Sequence, residues 1–394
     1  MRTHSPTNLT LPQPAATLSH PMEYVFSPSA SNPPAPPSEG EEGRGEVGRA
    51  TANHGVRALL PFSGSMPDVL RGSILTLIVA ALALCPTALP GADTTQAEKP
   101  KPQTFLTVET AGPDYLAQGE YTNDWGGVQV IALGDDRFRA VISKGGLPGA
   151  GWDGEPRTEV EGKRAGDAVV FKNEKTGWTH SVRQGVFETK TDGGETYTMN
   201  KVQRTSPTLG AKPPVNAVIL FDKDPEQWQG AHVDERGLLA AGTTTKKKFQ
   251  AFQLHAEFFL PFKPLGRGQD RGNSGVYLQD RYEVQVLDSF GLKGENNECG
   301  GIYSKKRPSV NMCFPPLTWQ TYDIDYQPAK FGADGKKTAN AVATIRHNGV
   351  VIHDHTEIDG PTGGGKPESP QPGPIQIQGH GNPVFYRNIW LVEK

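Results

Sequence analysis

No stretch between Thr104 and the C-terminal Lys394 carries the long three-to-four spacing of apolar residues that an amphipathic helix needs. The chain breaks instead into short apolar or alternating runs, cut by glycine and proline. In "FQAFQLHAEFFLPF" the alternation puts Phe252, Leu254, Ala256 and Phe258 on one face. Gln253, His255, Glu257 and Phe259 fall on the other. "AVILF", "SGVYLQD", "YEVQVLDS", "TYDIDYQ", "NAVATIRHNGVVIHDHTEI", "PIQIQGH" and "VFYRNIWLVE" read as further strands, and "HNG" as an Asn-Gly hairpin turn. No repeat of fixed period is present. With 46 glycines and 34 prolines in 394 residues, the pattern predicts an all-β chain whose larger part is a two-sheet sandwich.

Punctuation divides the chain. Residues 1–65, rich in Pro, Ser, Gly and Glu, lack the apolar content to fold and read as a disordered extension or a mis-assigned start, with Met66 as the true one. Residues 66–92 contain Arg71, an apolar run from Ile74 to Leu84 and a tail of small residues and prolines. These are the proportions of a signal peptide. The alternative is a cytosolic tail with a membrane anchor, but the run is short for a span. A polar linker, 93–103, precedes a small β-rich domain, 104–205, in which "GGVQVIALG" and "RFRAVIS" flank "GDD" as a hairpin. The proline-rich linker 206–215 leads into the sandwich, 216–394.

The expected mature protein is therefore exported, periplasmic or extracellular, with no stable membrane span once the signal is cleaved. A net charge of −3 gives no basic field to recruit nucleic acid. Cys299 and Cys313, an even pair in an oxidising compartment, are a disulfide candidate, with two free thiols as the alternative. Oligomeric state is not legible.

The segment "GNSGVYLQDRYEVQVLD", Gly272 to Asp288, places acids and an amide in a strand. Glu283 and Gln285 share a face opposite Val284 and Val286. Asp288 joins the polar side only if a bulge follows Val286. The spacing Glu-x-Gln-x-x-Asp is like the Glu-x-Asp-x-x-Glu of sandwich-fold glucanases, with the middle acid replaced by an amide. A solvated sheet face is the competing reading.

Other constellations are weaker. His353 and His355, with Glu357 nearby, have metal-ligand spacing, but lone His-x-His pairs are common, and no metal or cofactor is expected. "GGLPGAG" and "PTGGGK" open no helix and are not phosphate loops. Tyr277, Tyr303, Trp319, Tyr322 and His380 supply the aromatic and polar mixture that suits sugars, with Trp319 expected in the core.

Four segments then occur in order: "GNSGVYLQDRYEVQVLDSFG", "ECGGIYSKKRPSVNMCFPPLTWQTYDIDY", "ATIRHNGVVIHDHTEIDGPTGG" and "PIQIQGHGNPVFYRNIWLVE". Together they resemble the 3-keto-disaccharide hydrolase-like domain family. The resemblance implies a concanavalin A-like jelly roll acting on 3-keto-disaccharides or 3-keto-glycosides. It implies Glu283, Asp288 and His380 as catalytic residues. Gln285, Glu257, Asn273, Tyr277, Tyr303, Gln378 and Arg387 would bind substrate, with Asn273, Ser274 and Gly275 forming the approach and Asn388 following Arg387. The insertion "PLGRGQD" before Asn273 departs from the family pattern. A carbohydrate-binding module of the same fold, or a laminin-G-type adhesion domain, remains the competing class.

Overall fold

A computed structural model of the protein describes residues 103–394. The expected extension and signal segment lie outside the described residues. Among those described, no helix is long and apolar enough to cross a membrane.

One helix, α1 (Val108–Ala117), precedes eight strands that close into an antiparallel barrel. These are β1 (Gly119–Asn123), β2 (Gly126–Gly134), β3 (Arg137–Lys144), β4 (Thr158–Ala165), β5 (Ala168–Lys172), β6 (Thr179–Arg183), β7 (Val186–Lys190) and β8 (Thr196–Val202). Each strand pairs with the next, and β1 pairs with β8 to complete the circle. Alternation turns Tyr121, Val128, Val130, Phe138, Phe171 and Phe187 inward, so side chains fill the lumen. The "GDD" hairpin forms with Asp135 and Asp136 at φ 53° and 56°, left-handed values that suit a tight turn.

The remaining strands are β9 (Val218–Phe221), β10 (Trp228–Gln229), β11 (Leu239–Ala240), β12 (Thr243–Thr245), β13 (Phe252–Phe259), β14 (Asn273–Leu278) and β15 (Tyr282–Leu287). After these come β16 (Trp319–Gln327), β17 (Lys330–Phe331), β18 (Lys337–Ala339), β19 (Ala341–His347), β20 (Val350–Ile358), β21 (Gln376–Ile377) and β22 (Phe385–Glu393). A five-stranded sheet runs β10-β12-β21-β14-β15, and a seven-stranded sheet runs β11-β22-β13-β16-β19-β20 with β9 beside β22. The small β17–β18 pair stands apart. Between the two sheets lies one apolar core that includes Phe252, Leu254, Phe258, Val276, Val284, Tyr322, Ile345 and Leu391. The molecule is all-β, a two-sheet sandwich preceded by a β-barrel.

Barrel and sandwich belong to one compact unit. Phe262 of the sandwich completes the barrel core, and Phe290 packs on Ile131 and Val141 of the barrel's outer wall. Gly291 allows this approach, since a Cβ there would stand 2.4 Å from the Ile131 side chain.

Candidate active site

β14 and β15 pair antiparallel with Tyr277 opposite Glu283, Gly275 opposite Gln285 and Asn273 opposite Leu287. Opposed residues share a face. Tyr277, Gly275, Asn273, Glu283 and Gln285 therefore line the outer side of the five-stranded sheet, while Val276, Leu278, Val284 and Val286 enter the core. Just after β21 comes Gln378, whose backbone N–H donates to Gly275 O at 2.8 Å and whose Nε2 reaches the Tyr277 hydroxyl at 3.4 Å.

This polar face is not wet. Glu283, Gln285, Asn273 and Tyr277 are each no more than 2% exposed. The segment 300–303 runs along the outer edge of β15, with Tyr303 N–H donating to Glu283 O at 3.0 Å. Thr362 accepts the Glu283 N–H through Oγ1 at 2.8 Å. Gly363 brings its carbonyl to the Tyr277 hydroxyl at 2.7 Å and lies against the Tyr303 ring. Gly275 makes room for the Glu283 carboxyl, because a Cβ at that position would stand 2.3 Å from Oε1.

Burial pushes the Glu283 carboxyl up to about 7, and the Tyr277 hydroxyl, 2.8 Å from Oε2, only partly offsets it. The hydrogen count agrees. Tyr277 has one hydrogen and two acceptors within reach, Glu283 Oε2 and Gly363 O. Both contacts are satisfied when Glu283 is protonated and donates to Tyr277, which donates onward to Gly363. Beside this pair, Asn273 Oδ1 and Gln378 Oε1 are buried acceptors with no partner among the described residues. A carboxyl poised near neutrality, flanked by amides, can move a proton and hold hydroxyls.

Several expected site residues lie elsewhere. Asp288 gains no bulge: pairing stays in register to Leu287. Its carboxylate is instead buried against Arg271, with Nε donating at 2.7 Å, and the Arg271 guanidinium also donates to Ala132 O of the barrel. His380 is exposed, and its ring joins none of the hydrogen bonds among the described residues.

Glu257 and Arg387 face away on the outer side of the seven-stranded sheet, because β13 and β22 belong to that sheet. There Glu257 accepts from Arg387 Nε at 2.7 Å, Asn388 Nδ2 at 2.8 Å and Gly210 N–H at 2.6 Å. Burial alone would raise its pKa. The bonds from His255, Asn388, Arg387 and Gly210 outweigh that and hold it at about 2. Asn388 adopts φ 45° where β22 pairs irregularly with its neighbours, so adjacent Arg387 and Asn388 both reach Glu257. Trp319 is not core either: it lies half-buried under the Arg387 guanidinium at 3.9 Å.

Cys299 and Cys313 are free thiols. Both lie buried inside the sandwich core, where Cys299 Sγ meets the Tyr322 hydroxyl at 3.3 Å and Cys313 Sγ the Leu287 carbonyl at 3.5 Å, rather than bridging a loop beside a groove. His353 and His355 diverge. His353 Nε2 donates to Gly300 O at 2.8 Å from a buried position, while His355 is exposed beside Asp354.

Three contributors had no signal of their own in the sequence: Thr362, Gly363 and Gln269. The last lies in a 3-10 turn (Gly268–Asp270) inside the insertion that departs from the family pattern. Its effect on spacing was visible, its side chain's destination was not.

Solved structures similar to this chain include three from Parabacteroides distasonis, each named a "putative glycosyl hydrolase". One is 36% identical and aligns with 46% of this chain and 85% of its own, at a TM-score of 0.43. Another is 18% identical over 45% of this chain and 94% of its own, at a TM-score of 0.34. No curated protein matches. Residues 216–392 match the model of the 3-keto-alpha-glucoside-1,2-lyase-like domain, and through them the chain belongs to that family.

Proposed function

We propose that the sandwich cleaves the glycosidic bond of 3-keto-glycosides by elimination and then hydration, with Glu283 moving the proton. A ketone at C3 acidifies the C2 hydrogen. Glu283, as carboxylate, takes that proton, and the electron pair forms the C1–C2 double bond as the C1–O bond breaks. The protonated Glu283 returns the proton to the departing oxygen. Water then adds across the double bond, its oxygen to C1 and a proton to C2. One group that accepts and returns a proton near neutrality suffices for both halves. Neutral amides such as Gln285 and Gln378 suit hydroxyl binding better than the second carboxylate of a covalent glucanase mechanism would.

The observation that carries this reading is the buried, raised carboxyl of Glu283 among amides with unsatisfied oxygens. The family's lyase designation and the glycosyl hydrolase names of the similar structures support it. Glu283→Gln keeps shape and removes the proton carrier. Turnover of a 3-keto-glucoside, followed by release of free sugar, should fall by about 100-fold or more. Because the carboxylate is the working form, the wild-type rate should rise with pH through about 7. Retention of activity within twofold in Glu283→Gln would refute the assignment. Sugar binding without cleavage by the unaltered protein would make the domain a binding module.

A further inference from the structure

The Glu283 face is closed, and part of the closure is a single side chain. Gln269 Oε1 accepts from Asn273 Nδ2 at 3.1 Å and from Gln285 Nε2 at 3.0 Å. Its Nε2 donates to the Asn297 carbonyl at 2.8 Å. Two donors thus converge on the oxygen of the Gln269 amide, and one acceptor faces its nitrogen. That is the complement of a hydroxyl, which accepts through two lone pairs and donates one hydrogen. A carboxylate would satisfy both donors but meet the Asn297 carbonyl with no hydrogen to offer. An ammonium would face two N–H groups.

We infer that Asn273, Gln285 and the Asn297 carbonyl form a subsite for one sugar hydroxyl, and that Gln269 is an internal occupant which the sugar displaces. This rests on the Glu283 face being the active site. The mounting of Gln269 fits the role. Its turn is exposed at Gly268 and Asp270, and only Gln269 reaches inward. The residues on either side of the turn are tied to barrel carbonyls, Arg267 to Leu133 O and Arg271 to Ala132 O. Lys263 Nζ also holds Asp270, through its carbonyl at 2.6 Å and its carboxylate at 3.0 Å, so the turn's backbone is fixed and the Gln269 side chain is the part that swings out. Gln269 thereby governs how readily a hydroxylated ligand enters, and it is a specificity-determining residue rather than a catalytic one.

The test uses the full chain, with a 3-keto-glucoside and its unoxidised parent glucoside as probes, read by steady-state kinetics and equilibrium binding. In Gln269→Ala the sugar no longer exchanges against an internal partner. KM and the dissociation constant should fall about tenfold while kcat stays within twofold, as expected for the release of about two neutral hydrogen bonds. Gln269→Glu keeps an acceptor for both amides but sets a second oxygen against the Asn297 carbonyl, so it loosens the occupant less completely than Gln269→Ala and should lower KM by about threefold. A side chain with only a structural role would instead raise KM or lower kcat in both variants. Unchanged KM in both, with wild-type turnover intact, overturns the subsite and leaves the Glu283 reading standing. If nothing is cleaved yet Gln269→Ala binds either glucoside tenfold more tightly than the unaltered protein, the subsite stands and the elimination chemistry falls. Neither binding nor cleavage by any of the three proteins overturns both.

Discussion

Glu283 is held where its charged form is costly, and this makes it a stability element as well as a proton carrier. Its folded value of about 7 lies above the ordinary 4.5. Below the ordinary value both folded and unfolded chains hold the proton, and nothing is lost. As pH rises toward 7 the unfolded chain releases its proton while the folded one resists, so stability declines through that window. The loss is on the order of 3 kcal/mol once pH exceeds about 7. Glu283→Gln removes this liability. Urea unfolding at pH 8 should find the variant about 3 kcal/mol more stable than the wild type, with the two within about 1 kcal/mol at pH 4. Equal stabilities at both pH values would mean that the carboxyl is not desolvated as the structure has it.

At the scale of elements, the segment 206–211 is strapped over the outer face of β13, β16 and β22 by a hydrogen-bond network. Ser206 and Thr208 hydroxyls bond Thr321, Thr208 also donates to Asp323 at 2.6 Å, and Gly210 N–H donates to Glu257. His255 stands between Asp323 and Glu257. Burial disfavours its proton, yet the bonds to Asp323 and Glu257 raise its pKa. The signs are opposite for the two partners. Glu257, held near 2, contributes stability above about 4.5 that is lost as pH falls; His255 contributes below about 6.5 and loses it as pH rises past its raised value. The strap is therefore firmest between those limits. Glu257→Gln should cost about 2–3 kcal/mol at pH 6 by urea unfolding and much less near pH 2.5, with 3-keto-glucoside turnover unchanged. A selective loss of turnover with stability intact would return Glu257 to substrate binding. These elements also show what was legible. Strict alternation identified β13, β14 and β15, and parity put Glu283 beside Gln285. Parity says nothing about which sheet a strand joins, and the crossover that sends β13 to the other sheet carried Glu257 away. β4, "TEVEGKRA", buries only Val160, so its pattern never rose above a loop and the closed barrel was not visible.

For the molecule as a whole, the junction of barrel and sandwich is where the sequence reading placed a catalytic acid and the structure places a tie. Asp288 follows directly on β15 and binds Arg271, both buried, while Arg271 donates across to Ala132 O in β2. Around this pair Phe290 packs on Ile131 and Val141, Arg157 of the barrel side donates to Leu292 O at 2.8 Å, and Phe262 lies inside the barrel core. A barrel that borrows a core residue from its neighbour should not unfold independently of it. Calorimetry is expected to show one cooperative transition for the two. Asp288→Asn leaves the Arg271 charge buried without its counter-ion, and breaking such a pair costs about 3–5 kcal/mol. The transition should move down in temperature, and the barrel should begin to separate from the sandwich as a second transition. Below that temperature kcat should remain within about threefold of wild type, because Asp288 touches neither Glu283 nor the amides around it. A fall of about 100-fold in kcat with the unfolding transition unmoved would restore Asp288 to the chemistry and remove the junction from its structural role.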